Sequence, residues 1–129
     1  MSPTVSPEVR VTEAAAERVR AYYRLVDADD VPGLIALFTE DAVYRRPGYP
    51  PMRGHEGLRA FYTGERVIAS GRHTVTTLVA DPGRVAVNGT FDGVLKDGRE
   101  VSLQFADFFT LDDEQRFSRR DTFFFAPLV

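Results

Sequence analysis

One segment, at positions 99–111, limits most strongly what this chain can fold into. Its side chains alternate in character, which is the pattern of a β-strand with one buried face. The alternating row that is apolar, apart from one carboxylate, is Val101, Leu103, Phe105, Asp107, Phe109 and Leu111. A one-residue shift of register would expose this whole row, so the pattern places Asp107 on an interior face. A buried acid needs a partner, and its role is either structural or functional.

Length and composition predict a single domain over 1–129, with a loose N-terminal tail at 1–10. The chain has 129 residues, of which 43% are hydrophobic and 27% charged, as in ordinary globular proteins. Its net charge of −3 gives no electrostatic reason to expect nucleic acid or an acidic membrane as a partner. The chain has no cysteine, which excludes disulfides and thiol catalysis. We see neither a secretion signal nor an apolar run of membrane-spanning length, so we expect a cytoplasmic protein.

The periodicity predicts helices first and strands afterwards. Thr12 is the expected N-cap of a first helix, Asp30 caps a short second helix, and a third begins at Gly54. Strands are predicted at 42–46, 73–80, 84–95, 99–111 and 116–125. This order is typical of an α+β fold in which helices cover one face of a curved antiparallel sheet.

Two glycines indicate how the sheet bends. Gly89 and Gly93 interrupt the strand at 84–95, and glycine inside a strand is typical of a bulge or a sharp bend. A sheet bent in this way encloses a cone-shaped cavity against its helices. Asp107, on the concave face, is expected to point into that cavity.

The order of elements resembles the NTF2-like superfamily, which includes ketosteroid isomerases and SnoaL-like polyketide cyclases. The likeness covers residues 12–125 and is carried by 22–38 (YYRLVDADDVPGLIALF), 41–47 (DAVYRRP), 53–54 (RG), 61–62 (FY), 105–109 (FADFF) and 119–121 (RRD). It implies a cone-shaped α+β barrel and cofactor-independent acid–base chemistry at a carbonyl-activated carbon. The implied substrate is a small apolar carbonyl compound, such as a polyketide-like or other secondary-metabolite intermediate. The resemblance also implies a homodimer through the outer sheet face, where Phe108 would lie.

The resemblance assigns the main candidate catalytic residues. The oxyanion-hole tyrosine of the isomerases matches Tyr22, its supporting tyrosine matches Tyr62, and the oxyanion-hole acid matches Asp107. The isomerase general base matches Arg46, which stays protonated and cannot abstract a proton. The likeness therefore favours a SnoaL-like cyclase in which Asp107 is the acid/base group. A neutral Asp107 would donate to an enolate and an ionised one would act as a base, and both states stay open.

Two auxiliary catalytic candidates accompany these residues. Arg46 is expected to bind an enolate or a substrate acid if it reaches the cavity, and otherwise to pair with a surface acid. His73 begins a strand at the expected rim, where it is either an acid–base group or a solvated side chain. The expected substrate-binding residues are Tyr44, Phe61, Phe105, Phe109, Leu103 and Asp121. The scattered histidines and acids form no metal-binding pattern, and no cofactor is expected.

The last predicted strand leaves one choice open. Its two rows, one with Arg119 and Asp121 and the other with Arg120 and Thr122, are both mixed, so a bulge could turn either row inward. Asp121 resembles one member of the Asp-Arg-Asp trio of limonene-epoxide hydrolases. No Arg-x-Asp pair at 84–95 completes that trio, which disfavours epoxide opening. The alternative to an enzyme is a non-catalytic ligand-binding or dimerisation module in which Asp107 serves only structure.

Overall fold

The computed structural model describes residues 6–126 and has the predicted order of helices and strands, with one additional short strand at Met52–Arg53. The helices are α1 (Pro7–Asp27), α2 (Val31–Ile35) and α3 (Gly54–Ala60), and α3 continues into a π-helical turn at Phe61–Glu65. The strands are β1 (Phe38–Arg45), β2 (Met52–Arg53), β3 (Ile68–Asp81), β4 (Arg84–Leu95), β5 (Glu100–Leu111) and β6 (Phe117–Phe124). No helix in the described part of the chain is long and apolar enough to cross a membrane.

The strands form one open, curved sheet in the order β2-β1-β6-β5-β4-β3. Four neighbouring pairs are antiparallel, and the fifth, β1 with β6, is parallel. The antiparallel pairing predicted for the long strands is confirmed for β3 to β6, and the parallel pair adds β1 at the side of β6. A parallel pair needs a long crossover, and here the whole chain between β1 and β6 supplies it.

Helix α1 begins earlier than the sequence analysis predicted. Ser6, rather than Thr12, is the N-cap, and its side chain accepts a hydrogen bond from the Val9 amide. Pro7 occupies the first turn, where its missing N–H costs nothing. The predicted tail is therefore wrong for 7–10, while positions 1–5 lie outside the described residues.

The buried face of α1 packs against the concave side of the sheet. Its buried residues are Ala15, Val19, Tyr22, Tyr23 and Val26. The Tyr22 ring is completely buried and makes edge-to-face contacts with Phe38, Phe109 and Phe117, at centroid distances of 5.6 to 5.8 Å. Burial of each such side chain stabilises the fold by about 1.5–3 kcal/mol. The same packing fixes where α1 presents its tyrosine hydroxyls.

The sheet bends where Gly89 of β4 pairs with Val75 of β3. The register of β3 shifts by one residue directly after Val75, which is a β-bulge. A Cβ atom at Gly89 would lie 2.5 Å from the Thr74 carbonyl oxygen and 2.8 Å from the Phe105 ring. Only glycine lets the two strands and the Phe105 ring come this close.

We expect Gly89→Ala to lower the free energy of unfolding by about 1–3 kcal/mol, because the new methyl group meets backbone that cannot move aside. Urea denaturation would measure the change. Gly64→Ala is the matched control, since nothing lies within 4 Å of a Cβ at that position. Equal stability of the Gly89→Ala variant and the control would contradict the close approach.

Candidate active site

A narrow cavity lies between the concave face of the sheet and α1. Its apolar wall consists of Val26, Ile68, Phe91, Leu103, Phe105 and Phe124. Its polar wall consists of Tyr22, Tyr44, Tyr62, Thr122, His73, Arg46, Arg66 and Arg120. The volume of about 30 Å³ is enough for one or two water molecules. An apolar space with a few converging polar groups is the usual form of a small-molecule site.

The cavity brings together many of the residues predicted from sequence, but not all. Those that line it are Tyr22, Tyr62, Arg46, His73, Tyr44, Phe105 and Leu103. Phe61 and Phe109 are buried in the core behind the wall, where they pack against other aromatic rings. Asp107 lies on the inner face as predicted, but outside the cavity wall and with no exposed surface. Asp121 faces away from the cavity.

Asp107 is saturated with hydrogen bonds. Arg120 donates to it from Nε at 3.1 Å and from Nη2 at 2.8 Å. The Tyr23 hydroxyl donates to Oδ2 and the Thr122 hydroxyl donates to Oδ1. Four donors fill the roughly four acceptor sites of a carboxylate. In this arrangement Asp107 has no free site with which to take a proton from a ligand.

Arg120 is the cavity-facing partner of Asp107. Its side chain is 6% exposed, and its Nη1 donates to the hydroxyls of Tyr22 and, at 3.3 Å, Tyr62. Burial disfavours the guanidinium charge, but attraction to Asp107 outweighs it and holds the pKa of Arg120 above its ordinary value. The cavity therefore contains a fixed cation.

A bulge between β5 and β6 explains why Arg120 points inward. The register shifts between the pairs Thr110–Arg119 and Leu111–Phe117, so Phe117 and Arg120 are both buried although they are three positions apart, an offset that would place them on opposite faces of a regular strand. Asp121 consequently shares the outer face with Phe108. There it forms ion pairs with Arg45 and Arg119 rather than contacts with a ligand.

Tyr22 and Tyr62 form a hydroxyl pair beside Arg120. The two hydroxyls are hydrogen-bonded to each other, and Tyr62 is placed by the π-helical turn. Burial raises the pKa of both tyrosines, although the charge of Arg120 opposes the shift. Both are therefore protonated at neutral pH. One hydroxyl proton joins the pair, and the other is left to donate to a bound ligand.

His73 and Asp27 form a second polar group on the cavity. Nδ1 of His73 lies 2.6 Å from the Asp27 carboxylate, which also accepts the His73 backbone N–H at 2.9 Å. This contact favours a proton on Nδ1 and leaves Nε2 as the basic nitrogen. Burial is the main cause that lowers the pKa of His73 below 6.5, and Asp27 only partly opposes it. His73 is therefore neutral at pH 7, with the side chain 11% exposed.

Several polar residues of this site were not assigned from the sequence, among them Arg120, Asp27 and Tyr23. Arg120 lies in one of the two rows of the last strand between which the sequence did not decide. The bulge that turns this row inward has no local sequence signature. Asp27 did carry a signal, because an acid at the C-terminal end of a helix opposes the helix dipole and so calls for another partner. Tyr23 lies on the buried helix face, where aromatic packing alone would explain it.

The α+β arrangement of a curved sheet over helices is the NTF2-like fold, and solved structures of similar proteins have the same fold. The epoxide hydrolase/cyclase-like enzyme SalBIII, described for pyran ring formation in the polyether salinomycin, has a TM-score of 0.78 at 24% identity and covers 88% of this chain and 92% of its own. An LEH-like epoxide hydrolase from M. tuberculosis has a TM-score of 0.76 at 19% identity, and the match covers 88% of this chain and 84% of that protein's chain. An NTF2-like protein of unknown function from Burkholderia pseudomallei has a TM-score of 0.77 at 21% identity, and the match covers 87% of this chain and 91% of that protein's chain. At these identities the likeness concerns the fold alone.

The family follows from the sequence match. The SnoaL-like domain model matches residues 19–119, and the chain belongs to this family. No curated protein matches the chain. The resemblance identified from the sequence is thus confirmed at the level of the superfamily and of its SnoaL-like branch.

We expect Asp107→Asn to lower the free energy of unfolding by about 3–5 kcal/mol, because it leaves the Arg120 cation buried without its counter-charge. Denaturant titration would measure the loss. Asp121→Asn is the matched control, since its arginine partners are about half exposed and each pair contributes only about 0–1 kcal/mol. A loss no greater than that of the control would contradict the buried pair.

Proposed function

We propose that this protein is a cofactor-independent enzyme that moves a proton at a carbon next to a carbonyl group. The observation that carries the proposal is that one apolar cavity contains both a neutral histidine and a cluster of fixed donors. His73 would be the base, and the Tyr22–Tyr62–Arg120 cluster would hold the carbonyl oxygen. Such a division of roles is what enolate chemistry needs.

The proposed reaction begins when Nε2 of His73 takes a proton from the α-carbon. Negative charge then develops on the carbonyl oxygen, where the free tyrosine proton and the Arg120 charge stabilise it. The histidinium formed is held by Asp27, since Nδ1–H already points at that carboxylate. The proton returns either to another carbon, giving an isomer, or to the oxygen formed when the enolate carbon attacks a second carbonyl of the same molecule, giving a ring.

In this proposal Asp107 is a positioning residue rather than the acid/base group. It holds Arg120 against the tyrosines and offsets its charge, and it has no free acceptor site. We therefore assign the proton exchange with the substrate, which the sequence led us to expect of Asp107, to His73. Arg46 keeps an auxiliary role at the cavity wall.

The structural neighbours support ring-forming chemistry of this general kind, because SalBIII is described as epoxide hydrolase/cyclase-like. Within residues 6–126, Asp107 is the one carboxylate that pairs with Arg120, so an Asp-Arg-Asp trio is not assembled there. This favours proton transfer at carbon over epoxide opening. A small, mainly apolar carbonyl compound from secondary metabolism remains the proposed substrate, and the cytoplasm the proposed compartment.

One observation favours a non-catalytic ligand-binding protein as the second candidate. The cavity, at about 30 Å³, is far smaller than the roughly 300–1,000 Å³ of ordinary ligand sites. A binder would need the same polar cluster for recognition but no base. Loss of His73 would then change affinity and leave no reaction to slow.

We expect wild-type protein to catalyse exchange of α-protons for deuterium in small ketones, from cyclopentanone to 2-tetralone, as followed by NMR in D₂O. His73→Gln should slow this exchange by about 10²–10⁴-fold, the usual contribution of a general base. His55→Gln is the matched control, because His55 lies outside the cavity and bonds the Phe38 carbonyl oxygen. Equal rates for wild type and His73→Gln on every ketone would exclude the proposed base.

The same reaction has an expected pH dependence. Protonated His73 cannot act as a base, so kcat/KM should be level above pH 6.5 and fall tenfold per pH unit once the pH is below the lowered pKa of His73. Asp27→Asn removes the charge that supports the histidinium. The fall in kcat/KM should then begin at a lower pH, and the constant value of kcat/KM at higher pH should be smaller. A fall that begins at an unchanged pH would mean that Asp27 does not act through His73.

We also propose a homodimer through the outer face of the sheet. Phe108 and Phe123 lie there at 52% and 54% exposure, with ring centroids 5.8 Å apart. Burial of this pair against a second copy would remove apolar surface from water. The sequence offers one other cover for this face, the C-terminal segment 127–129, which lies outside the described residues.

We expect sedimentation to find a dimer for the wild type and a monomer for Phe108→Asp, because a carboxylate cannot be buried against the partner's aromatic rings without a counter-charge. Val9→Asp on α1 is the matched control, since Val9 is also an exposed apolar residue, at 46%. A wild-type monomer at micromolar concentration would refute this interface.

A further inference from the structure

We propose that the ligand of this cavity carries a carboxylate group, which Arg46 and Arg66 bind while its carbonyl group lies at the Tyr22–Tyr62–Arg120 cluster. The proposal rests on the proposed function only in that both use the same cavity. It adds a substrate class, the oxo acids, that the proton-transfer chemistry by itself does not require.

Arg66 is buried without a partner for its charge. It follows the π-helical turn, lines the cavity and is 9% exposed. Its Nε has no hydrogen-bond acceptor among the described residues. The guanidinium carbon lies 5.6 Å from the centre of the Tyr62 ring, which holds the group beside the tyrosine cluster.

Arg46 also lines the cavity, although its side chain is only partly buried. It directly follows β1, and its Nε is likewise buried without an acceptor in the described part of the chain. Its guanidinium carbon packs 5.2 to 5.4 Å from the ring centres of Tyr49, Phe61 and Phe124. Aromatic faces stabilise the cation but offer no oxygen to its N–H donors.

The charges around the cavity do not balance. Asp107 offsets the charge of Arg120, whereas neither Arg46 nor Arg66 forms a salt bridge within residues 6–126. The cavity therefore holds two uncompensated positive charges, in a chain whose net charge is −3. A cation without a counter-charge is costly where its donors are removed from water, as in the buried Arg66 and at the Nε of Arg46, and an anionic ligand would offset that cost.

The kind of anion follows from the donors and the space. Guanidinium groups bind planar carboxylates through paired N–H donors, and a carboxylate is a small anion, as a narrow cavity requires. Arg66 also lines the adjoining surface groove formed by 64–67 and 95–99, so it lies at the boundary between cavity and solvent. A carboxylate held there would direct the rest of the ligand inward, towards His73 and Arg120.

Isothermal titration with 4-oxo-4-phenylbutanoate and its neutral amide would test the proposal, because the two probes differ only in the charged group. We expect wild-type protein to bind the carboxylate about 10- to 100-fold more tightly than the amide, which corresponds to a charge-assisted hydrogen bond. Arg46→Gln and Arg66→Gln should each remove most of this preference. Arg66→Lys should retain part of it, because the charge is kept and only the paired donors are lost.

Arg59→Gln is the matched control, since it removes the same charge from an exposed position on α3 outside the cavity. Equal affinity for the two probes, an unchanged preference in both glutamine variants, or no binding of the carboxylate by the wild type would each overturn the proposal. His73→Gln separates the two claims, because it should slow deuterium exchange by about 10²–10⁴-fold and keep the carboxylate preference. The experiments can thus refute proton transfer and still support the anion site, or refute the anion site and still support proton transfer.

Discussion

The ion pair between Asp107 and Arg120 determines how the interior of this protein is built. A buried pair is tolerated only when its remaining donors and acceptors are satisfied, and here α1, β6 and the π-helical turn after α3 supply the groups that do this. Tyr23 and Thr122 donate the remaining hydrogen bonds to the carboxylate. Tyr22 and Tyr62 accept the remaining hydrogen bonds of the guanidinium group. The position of the helix over the sheet is thus fixed by polar contacts as well as by aromatic packing.

Two ionisable groups on the cavity, Arg120 and His73, are each supported by a carboxylate placed behind them. Asp107 lies behind Arg120, and Asp27 lies behind His73. This arrangement lets a neutral base and a cation face the same small space, whereas a carboxylate between them would pair with both. Tyr23 connects the two halves, since its hydroxyl binds Asp107 while its ring lies 5.2 Å from the His73 ring.

The sequence predicted the parts of the site that depend on simple periodicity. Alternation in β5 placed Asp107 inward, and the helical face of α1 included Tyr22, while family resemblance supplied Tyr62. It could not predict Arg120, because a bulge of one residue reverses the inward row of β6 and depends on pairing with β5. Nor does periodicity tell whether an inward acid reaches a cavity or is sealed beneath it, since that depends on the donors brought by other elements.

The narrowness of the cavity has a kinetic consequence. A space for one or two waters admits a larger molecule only after side chains at its edge move aside. Rotation of Arg46 and Arg66 off their aromatic rings would then precede or accompany entry, and the frequency of that motion would set the association rate. Binding would be slower than the diffusional limit, and the protein would select ligands by their rate of entry as well as by their affinity.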